Sequence, residues 1–306
     1  MLTYAVKIFL KGEPIRSIKI PMSRKRYLGG TAAGKLGFCT SWAVDDHDSG
    51  REWIETVEVN MHLDDLPEEF CGKRIVHVSD LHCSRTVSAE YLEKCIDRVN
   101  LLNADITVLT GDYITHDFNG MYREKAVELV GRIKSPYGVY ACLGNHDYGI
   151  GSVIRSKRGD LLEHLTEGMK ENGVKLLRNE SAYVEIDGKE LWFVGVGDKW
   201  AEDFDPDKAF SKADDTKTTI TLMHNPDGVK HIRKFHSNAV MSGHTHGVQH
   251  PLAGSMALLG NPRYHAGLYQ VENKKLYVNR GLGRLGQMIC SPRPEITVIT
   301  LRTNLP

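Results

Sequence analysis

From Arg74 onward the chain repeats one pattern: a short, continuous apolar run that stops abruptly at polar residues. Ile75-Val76-His77-Val78 gives way to Ser79-Asp80-Leu81-His82, Ile106-Thr107-Val108-Leu109 to Gly111-Asp112, and Val139-Tyr140-Ala141-Cys142-Leu143 to Gly144-Asn145-His146-Asp147. Runs this short and this uniformly apolar suit strands buried on both faces of a sheet. Between them, Leu92, Cys95, Ile96, Val99 and Leu102 recur at helical spacing, as do Val127, Leu129, Val130 and Ile133, so strand and helix alternate and the expected class is α/β. Leu161, Leu162, Leu165 and Met169 predict a further helix stopped near Gly173. Tyr183-Val184-Glu185-Ile186 and Leu191-Trp192-Phe193-Val194 flank Asp187-Gly188 and predict a tight hairpin. Leu276-Tyr277-Val278 and Ile296-Thr297-Val298-Ile299 read as late strands closing a second sheet.

Two more runs, Ile220-Thr221-Leu222-Met223 and Ala239-Val240-Met241, end at His224 and at Gly243-His244-Thr245-His246. Each motif alone has an ordinary reading: a surface Asp-x-His pair, a Gly-Asp turn, a capping Asn, a core histidine. Five such endings in one chain are a different matter, because loops at the carboxyl ends of neighbouring strands share one sheet edge and their side chains converge there. Together they offer the carboxylates of Asp80 and Asp112, the amide oxygen of Asn145, and the imidazoles of His82, His224, His244 and His246. That many O and N donors exceed what one tetrahedral zinc with an open position takes, and suit two ions sharing a bridge.

In that order the motifs resemble the calcineurin-like metallophosphoesterases, with every core position filled. The likeness covers about residues 51–306 and extends to a bacterial membrane-associated phosphodiesterase branch that includes UDP-diacylglucosamine pyrophosphohydrolases of lipid A synthesis. Asn279-Arg280-Gly281-Leu282-Gly283 and Arg293-Pro294-Glu295-Ile296 are among the stretches that carry this narrower resemblance. Val248 stands where the family usually has glycine. The resemblance implies a four-layer α/β/β/α sandwich of two mixed sheets, with a two-metal site at the strand C-terminal edge. It further implies that Asp80, His82 and His246 hold one ion, Asn145, His224 and His244 the other, with Asp112 bridging. Manganese, iron and zinc all suit such donors. Water activated between the ions then replaces any Ser or Cys nucleophile. His146 is expected at the substrate phosphate as a catalytic group. Asp147 is expected either to orient His146 from its other ring nitrogen or to serve as a turn residue.

The resemblance implies hydrolysis of a phosphodiester or pyrophosphate, in a lipid or nucleotide-sugar headgroup. A soluble small-nucleotide phosphodiesterase and a non-catalytic scaffold are the competing readings, the scaffold disfavoured because all ligands and His146 are kept. Lys plus Arg and Asp plus Glu are both 39, so no charge field recruits nucleic acid and an anionic substrate must be gripped locally. Arg263, Arg280, Arg284 and Arg293 are candidates to hold a second phosphate. His116 and His250 either face the cleft or are solvated loop histidines. The apolar stretch 252–259 reads as an acyl groove, a membrane-facing lip or a core loop. No obligate protein partner is implied. No run reaches the roughly 18 apolar residues of a membrane span, which predicts a protein in the cytoplasm or peripheral to the inner membrane. Residues 1–50 read as an extension, with a degenerate twin-arginine-like leader near 22–34 as one alternative. The six scattered cysteines read as reduced thiols.

Overall fold

The computed structural model describes residues 5–10, 13–19, 54–117, 120–150, 159–247, 263–283 and 292–303. Residues 22–34 and 252–259, along with Val248, His250 and Arg284, lie outside them. The chain divides into two compact units, 1–39 and 40–306. The first contains an antiparallel hairpin of Ala5–Leu10 (β1) and Glu13–Lys19 (β2).

In the second unit one six-stranded sheet contains Glu55–Leu63 (β3), Arg74–Val78 (β4), Ile106–Thr110 (β5), Val139–Cys142 (β6) and Val174–Leu176 (β7), plus the last strand Glu295–Thr303 (β14). Their order is β3-β14-β4-β5-β6-β7, with β4 to β7 parallel and β14 antiparallel to β4. The other six-stranded sheet holds Glu180–Ile186 (β8), Lys189–Gly195 (β9), Thr219–Leu222 (β10), Ala239–Ser242 (β11), Gly267–Val271 (β12) and Lys274–Val278 (β13). Their order is β12-β13-β11-β10-β9-β8, with β9, β10, β11 and β13 parallel.

Strand alternation sorts the apolar residues into three cores. Ile75, Ile106, Val108 and Tyr140 face Phe193, Ile220, Leu222 and Met241 between the sheets. Their neighbours Val76, Val78, Leu109 and Ala141 turn outward onto helix Ala89–Leu101 (α1), helix Met121–Gly131 (α2) and helix Gly159–Glu171 (α3). Val194, Val240, Leu276 and Val278 cover the far face with Ala209 of the short helix Pro206–Phe210 (α4) and with Val229 and Ile232. The result is the four-layer α/β/β/α sandwich. At the start of α1 the Ser88 hydroxyl accepts the Tyr91 N–H at 3.3 Å and caps the helix. The hairpin of β8 and β9 turns through Asp187 and Gly188, both at positive φ (49° and 75°), as a two-residue primed turn requires.

One expected placement changes. The strand containing Ile296–Ile299 does not close the second sheet; β14 inserts between β3 and β4 of the first. An apolar run announces a buried strand but carries no local signal for its partner. Here the partners lie more than 200 residues upstream, where Val298 pairs with Val76 and Glu58.

Candidate metal centre

Because β4, β5 and β6 are parallel in one sheet and β10 and β11 in the other, their carboxyl ends meet along one edge of the sandwich. The backbone turns sharply there. Asp80, His82, Asp112, His244 and His246 all adopt positive φ, between 50° and 73°. Non-glycine residues hold that conformation at a cost of about 1–3 kcal/mol each, and such a concentration at one locus marks a site over-determined by its surroundings. Neighbouring glycines allow the close approach: a Cβ on Gly144 would sit 2.2 Å from Asp112 Oδ1, and one on Gly243 2.2 Å from Asp80 Oδ2.

Backbone amides aim the two carboxylates. The His146 N–H donates to Asp112 Oδ1 at 2.9 Å, and the His244 N–H to Asp80 Oδ2 at 3.0 Å. Ser79 Oγ donates to Asp80 Oδ2 at 2.5 Å. His224 Nδ1 lies 2.7 Å from the Thr110 carbonyl, which can only accept, so Nε2 is left for the centre. That atom is 3.0 Å from Asp112 Oδ2 and 3.1 Å from His244 Nδ1. On the other side, His82 Nε2 faces His246 Nε2 at 3.1 Å and lies 3.7 Å from Asp80 Oδ1 and from Asp112 Oδ2. Two donor groups result, Asp80/His82/His246 and Asp112/His224/His244, each with its ligand atoms within 4.8 Å of one another. A third such group, His82/Asp112/His146, links them.

These side chains fit divalent ions. Asn145 spends its amide N–H on the Ile150 carbonyl at 2.9 Å, and its buried oxygen has no hydrogen-bond partner among the described residues; neither has His244 Nε2. Buried polar atoms left unpaired cost about 1–3 kcal/mol each, which a bound cation offsets. Protonation states agree. Burial alone would raise Asp80 and Asp112, but surrounding histidines, led by His246 for Asp80 and His224 for Asp112, hold both carboxyls below the usual range. Burial drives the imidazoles of His244 and His246 down to about 3 and about 4. His224 goes the other way: burial opposes its cation, yet Asp112 and Asp80 hold the ring well above its ordinary value. Ionised carboxylates and neutral imidazoles are the forms that bind metal, and a cation would displace the His224 proton.

The His146 ring lies edge-on to His82, centroids 5.0 Å apart. Its Nδ1 donates to the Thr115 carbonyl at 2.7 Å, so the hydrogen bond anticipated to Asp147 is made elsewhere. Asp147 instead accepts three backbone N–H groups, from Asp112 (2.9 Å), Tyr113 (2.9 Å) and Gly144 (2.8 Å). It thereby ties the loop after β5 to the loop after β6. Burial and the Asp112 charge push its carboxyl up to about 7.

Arg280 does not wait for phosphate. Its guanidinium pairs with Glu55 at 2.9 Å and with buried Glu295, whose other oxygen takes the Tyr277 and Thr297 hydroxyls at 2.6 Å. Arg263, Arg293 and His116 are exposed. Cys71, Cys83, Cys95 and Cys142 are free thiols. No motif marks Trp200, whose ring stands edge-on to His244 with centroids 4.6 Å apart. The same loop contains Asp198, a buried carboxylate that accepts the Trp200 backbone N–H at 2.8 Å. The available signal was Gly195-Val196-Gly197-Asp198, another strand ending in glycine and aspartate.

Residues 73–248 match the family model for calcineurin-like phosphoesterase, and the chain belongs to this family of metal-dependent phosphoesterases. Among its relatives is UDP-2,3-diacylglucosamine pyrophosphatase LpxG of Chlamydia trachomatis, 30% identical over 76% of this chain and 86% of the relative. The metallophosphoesterase YkuE of Bacillus subtilis is 30% identical over 92% and 98%, and the phosphodiesterase YaeI of Escherichia coli 27% over 92% and 99%.

Proposed function

We propose that this enzyme hydrolyses a phosphodiester or pyrophosphate bond in a lipid or nucleotide-sugar headgroup, at a centre of two divalent ions. Asp80, His82 and His246 would hold one ion and Asn145, His224 and His244 the other, with Asp112 available to both. The observation that supports this most directly is the pair of buried donor groups linked through Asp112, together with a buried Asn145 oxygen that has no hydrogen-bond partner among the described residues. Bound there, the ions supply Lewis acidity and lower the pKa of water to the neutral range. The protein's own part is to hold Asp80 and Asp112 ionised and His244 and His246 neutral, and to aim Asp80, Asp112 and His224 through backbone groups. His146, anchored through Nδ1, keeps Nε2 for the substrate; as imidazolium it would give the Nε2 proton to the leaving oxygen and be left as the neutral Nδ1–H ring. Asp147 is a positioning residue for Asp112 and the loop bearing His146.

The headgroup assignment draws on the names of the relatives: two LpxG proteins, from Chlamydia trachomatis and Chlamydia muridarum, act on UDP-2,3-diacylglucosamine. No helix among the described residues is long and apolar enough to cross a membrane. Manganese is the first ion to try. Element analysis should find about two ions per chain, and the manganese-loaded protein should release p-nitrophenol from bis-p-nitrophenyl phosphate faster than from p-nitrophenyl phosphate. UDP-2,3-diacylglucosamine then tests the headgroup. Turnover of small nucleotides with the lipid left intact would favour a nucleotide phosphodiesterase, and a loaded protein inert toward all of these would be a scaffold.

A further inference from the structure

A sixth strand end reaches the metal centre without contributing a ligand. β9 stops at Gly195, and the loop that follows brings Trp200 against His244 of the second donor group. Asp198 Oδ1 accepts the N–H groups of Trp200 and Ala201, at 2.8 and 3.1 Å, and the turn so formed carries the half-buried Trp200 indole onto His244 at an interplanar angle of 87°.

The loop is braced on several sides. Asn179 Oδ1 accepts from Gly197 and Asp205 at 2.8 and 3.1 Å, and its amide donates to the Asp203 carbonyl at 2.6 Å. Arg178 grips the Asp203 carboxylate through two nitrogens at 2.7 and 3.1 Å. The hydroxyl of Tyr148, two residues beyond His146, donates to the same carboxylate at 2.6 Å. A loop braced this firmly fixes where the indole is presented, and little backbone freedom remains to be lost when something binds against it.

His146 and Trp200 lean on different donor groups. His146 stands against His82, Trp200 against His244. If His146 serves the oxygen that leaves, the opposite flank belongs to the substituent that stays on phosphorus. We propose that Trp200 is a specificity-determining residue, its indole walling a subsite for a retained organic substituent with a flat or C–H-rich face, such as an aryl ring, a nucleobase or a sugar. This rests on the phosphodiesterase reading above. An aromatic wall rewards such a face through dispersion and has little to offer a methyl group.

The test compares two diesters that release the same p-nitrophenol but retain different groups: bis-p-nitrophenyl phosphate and methyl p-nitrophenyl phosphate. With metal-loaded full-length protein, Trp200→Ala should raise KM for the first about tenfold while changing KM for the second, kcat and metal content by less than about twofold. Trp200→Phe should restore most of the loss. Calorimetric binding of p-nitrophenyl phosphate should weaken in parallel, whereas binding of methyl phosphate should not. Equal KM changes for both diesters, no change for either, or loss of metal from Trp200→Ala would overturn the proposal, the last by reducing Trp200 to a support for His244. If wild-type protein carrying its ions cleaves neither diester, the phosphodiesterase reading fails instead, and the calorimetric comparison still decides Trp200.

Discussion

The Asp147 carboxylate holds the backbone N–H of Asp112 at 2.9 Å, with the N–H groups of Tyr113 and Gly144 on the same carboxylate. A side chain 35 residues away thus sets where Asp112, the ligand proposed for both ions, stands. Asp147→Ala leaves three buried N–H groups unpaired, and each costs about 1–3 kcal/mol. We expect lower stability in denaturant titration and a fall in kcat that accompanies a loss of bound metal, with KM for bis-p-nitrophenyl phosphate little changed. Wild-type metal content with full turnover would remove Asp147 from the catalytic account.

His146 and Asp112 should separate chemistry from metal binding. The His146 ring is anchored on Thr115 and belongs to neither of the two donor groups assigned to the ions. His146→Ala should therefore keep both ions by element analysis while turnover drops about 10²–10⁴-fold. Asp112 contributes to two of the three donor clusters, and Asp112→Ala should lose ions and turnover together. A metal-depleted His146→Ala would mean that His146 is a ligand.

Two glycines at turns should respond differently to alanine. On Gly144 the added Cβ meets Asp112 Oδ1 at 2.2 Å, in a place where neither backbone nor ligand can yield. Gly188 in the β8–β9 turn has open space but φ of +75°. Gly188→Ala should cost about 1 kcal/mol of stability and leave metal content and turnover intact, whereas Gly144→Ala should destroy metal binding. Thermal melts with and without chelator distinguish the two effects.

The contrast shows what could be read from sequence. Strand ends were legible because apolar runs and the motifs that follow them are local, so the residues meeting at Asp112 could be named in advance. The partner of a strand, or of a carboxylate, is not local. The sequence does not tell that β14 joins β3 and β4, nor which of its two expected roles Asp147 takes; it accepts backbone N–H groups, as the turn role has it, and not the His146 ring nitrogen. Trp200 was hidden for the same reason: its contact with His244 is set by the return path of a loop, and nothing in Lys199-Trp200-Ala201 announces it.

The brace beneath Trp200 carries a pH signature. Burial works against the Asp203 carboxylate, but hydrogen bonds from Arg178 and Tyr148 hold its pKa below the ordinary 3.8. A carboxyl depressed in the folded state adds stability that is fully present above the unfolded value and is lost as pH falls through the folded one. The stability difference between wild type and Asp203→Asn should be constant from neutral pH down to about 4 and close below it. Urea titrations of metal-free protein across that range keep ligand release out of the comparison. A difference that persists unchanged at the acid end would mean the brace does not depend on charge.

Arg280 offers the sharpest separation of a structural from a substrate-binding role. Its guanidinium is the counter-charge of Glu295, whose side chain is only 2% exposed, and it reaches Glu55 as well. Removing one partner of a buried pair strands the other charge, at about 3–5 kcal/mol. The loss should propagate to the centre, because Gly281 donates to the Asn279 side chain and the adjoining Leu282 and Gly283 N–H groups donate to the carbonyls of Ser79 and Asp80. Arg280→Ala should therefore lower stability by several kcal/mol and reduce metal affinity, while KM of the fully loaded fraction stays near wild type. Arg280→Ala combined with Glu295→Gln should recover part of the stability, since no buried charge then lacks its partner. A phosphate clamp behaves in the opposite way, with stability preserved and KM raised, and in that event Glu295→Gln would bring no rescue.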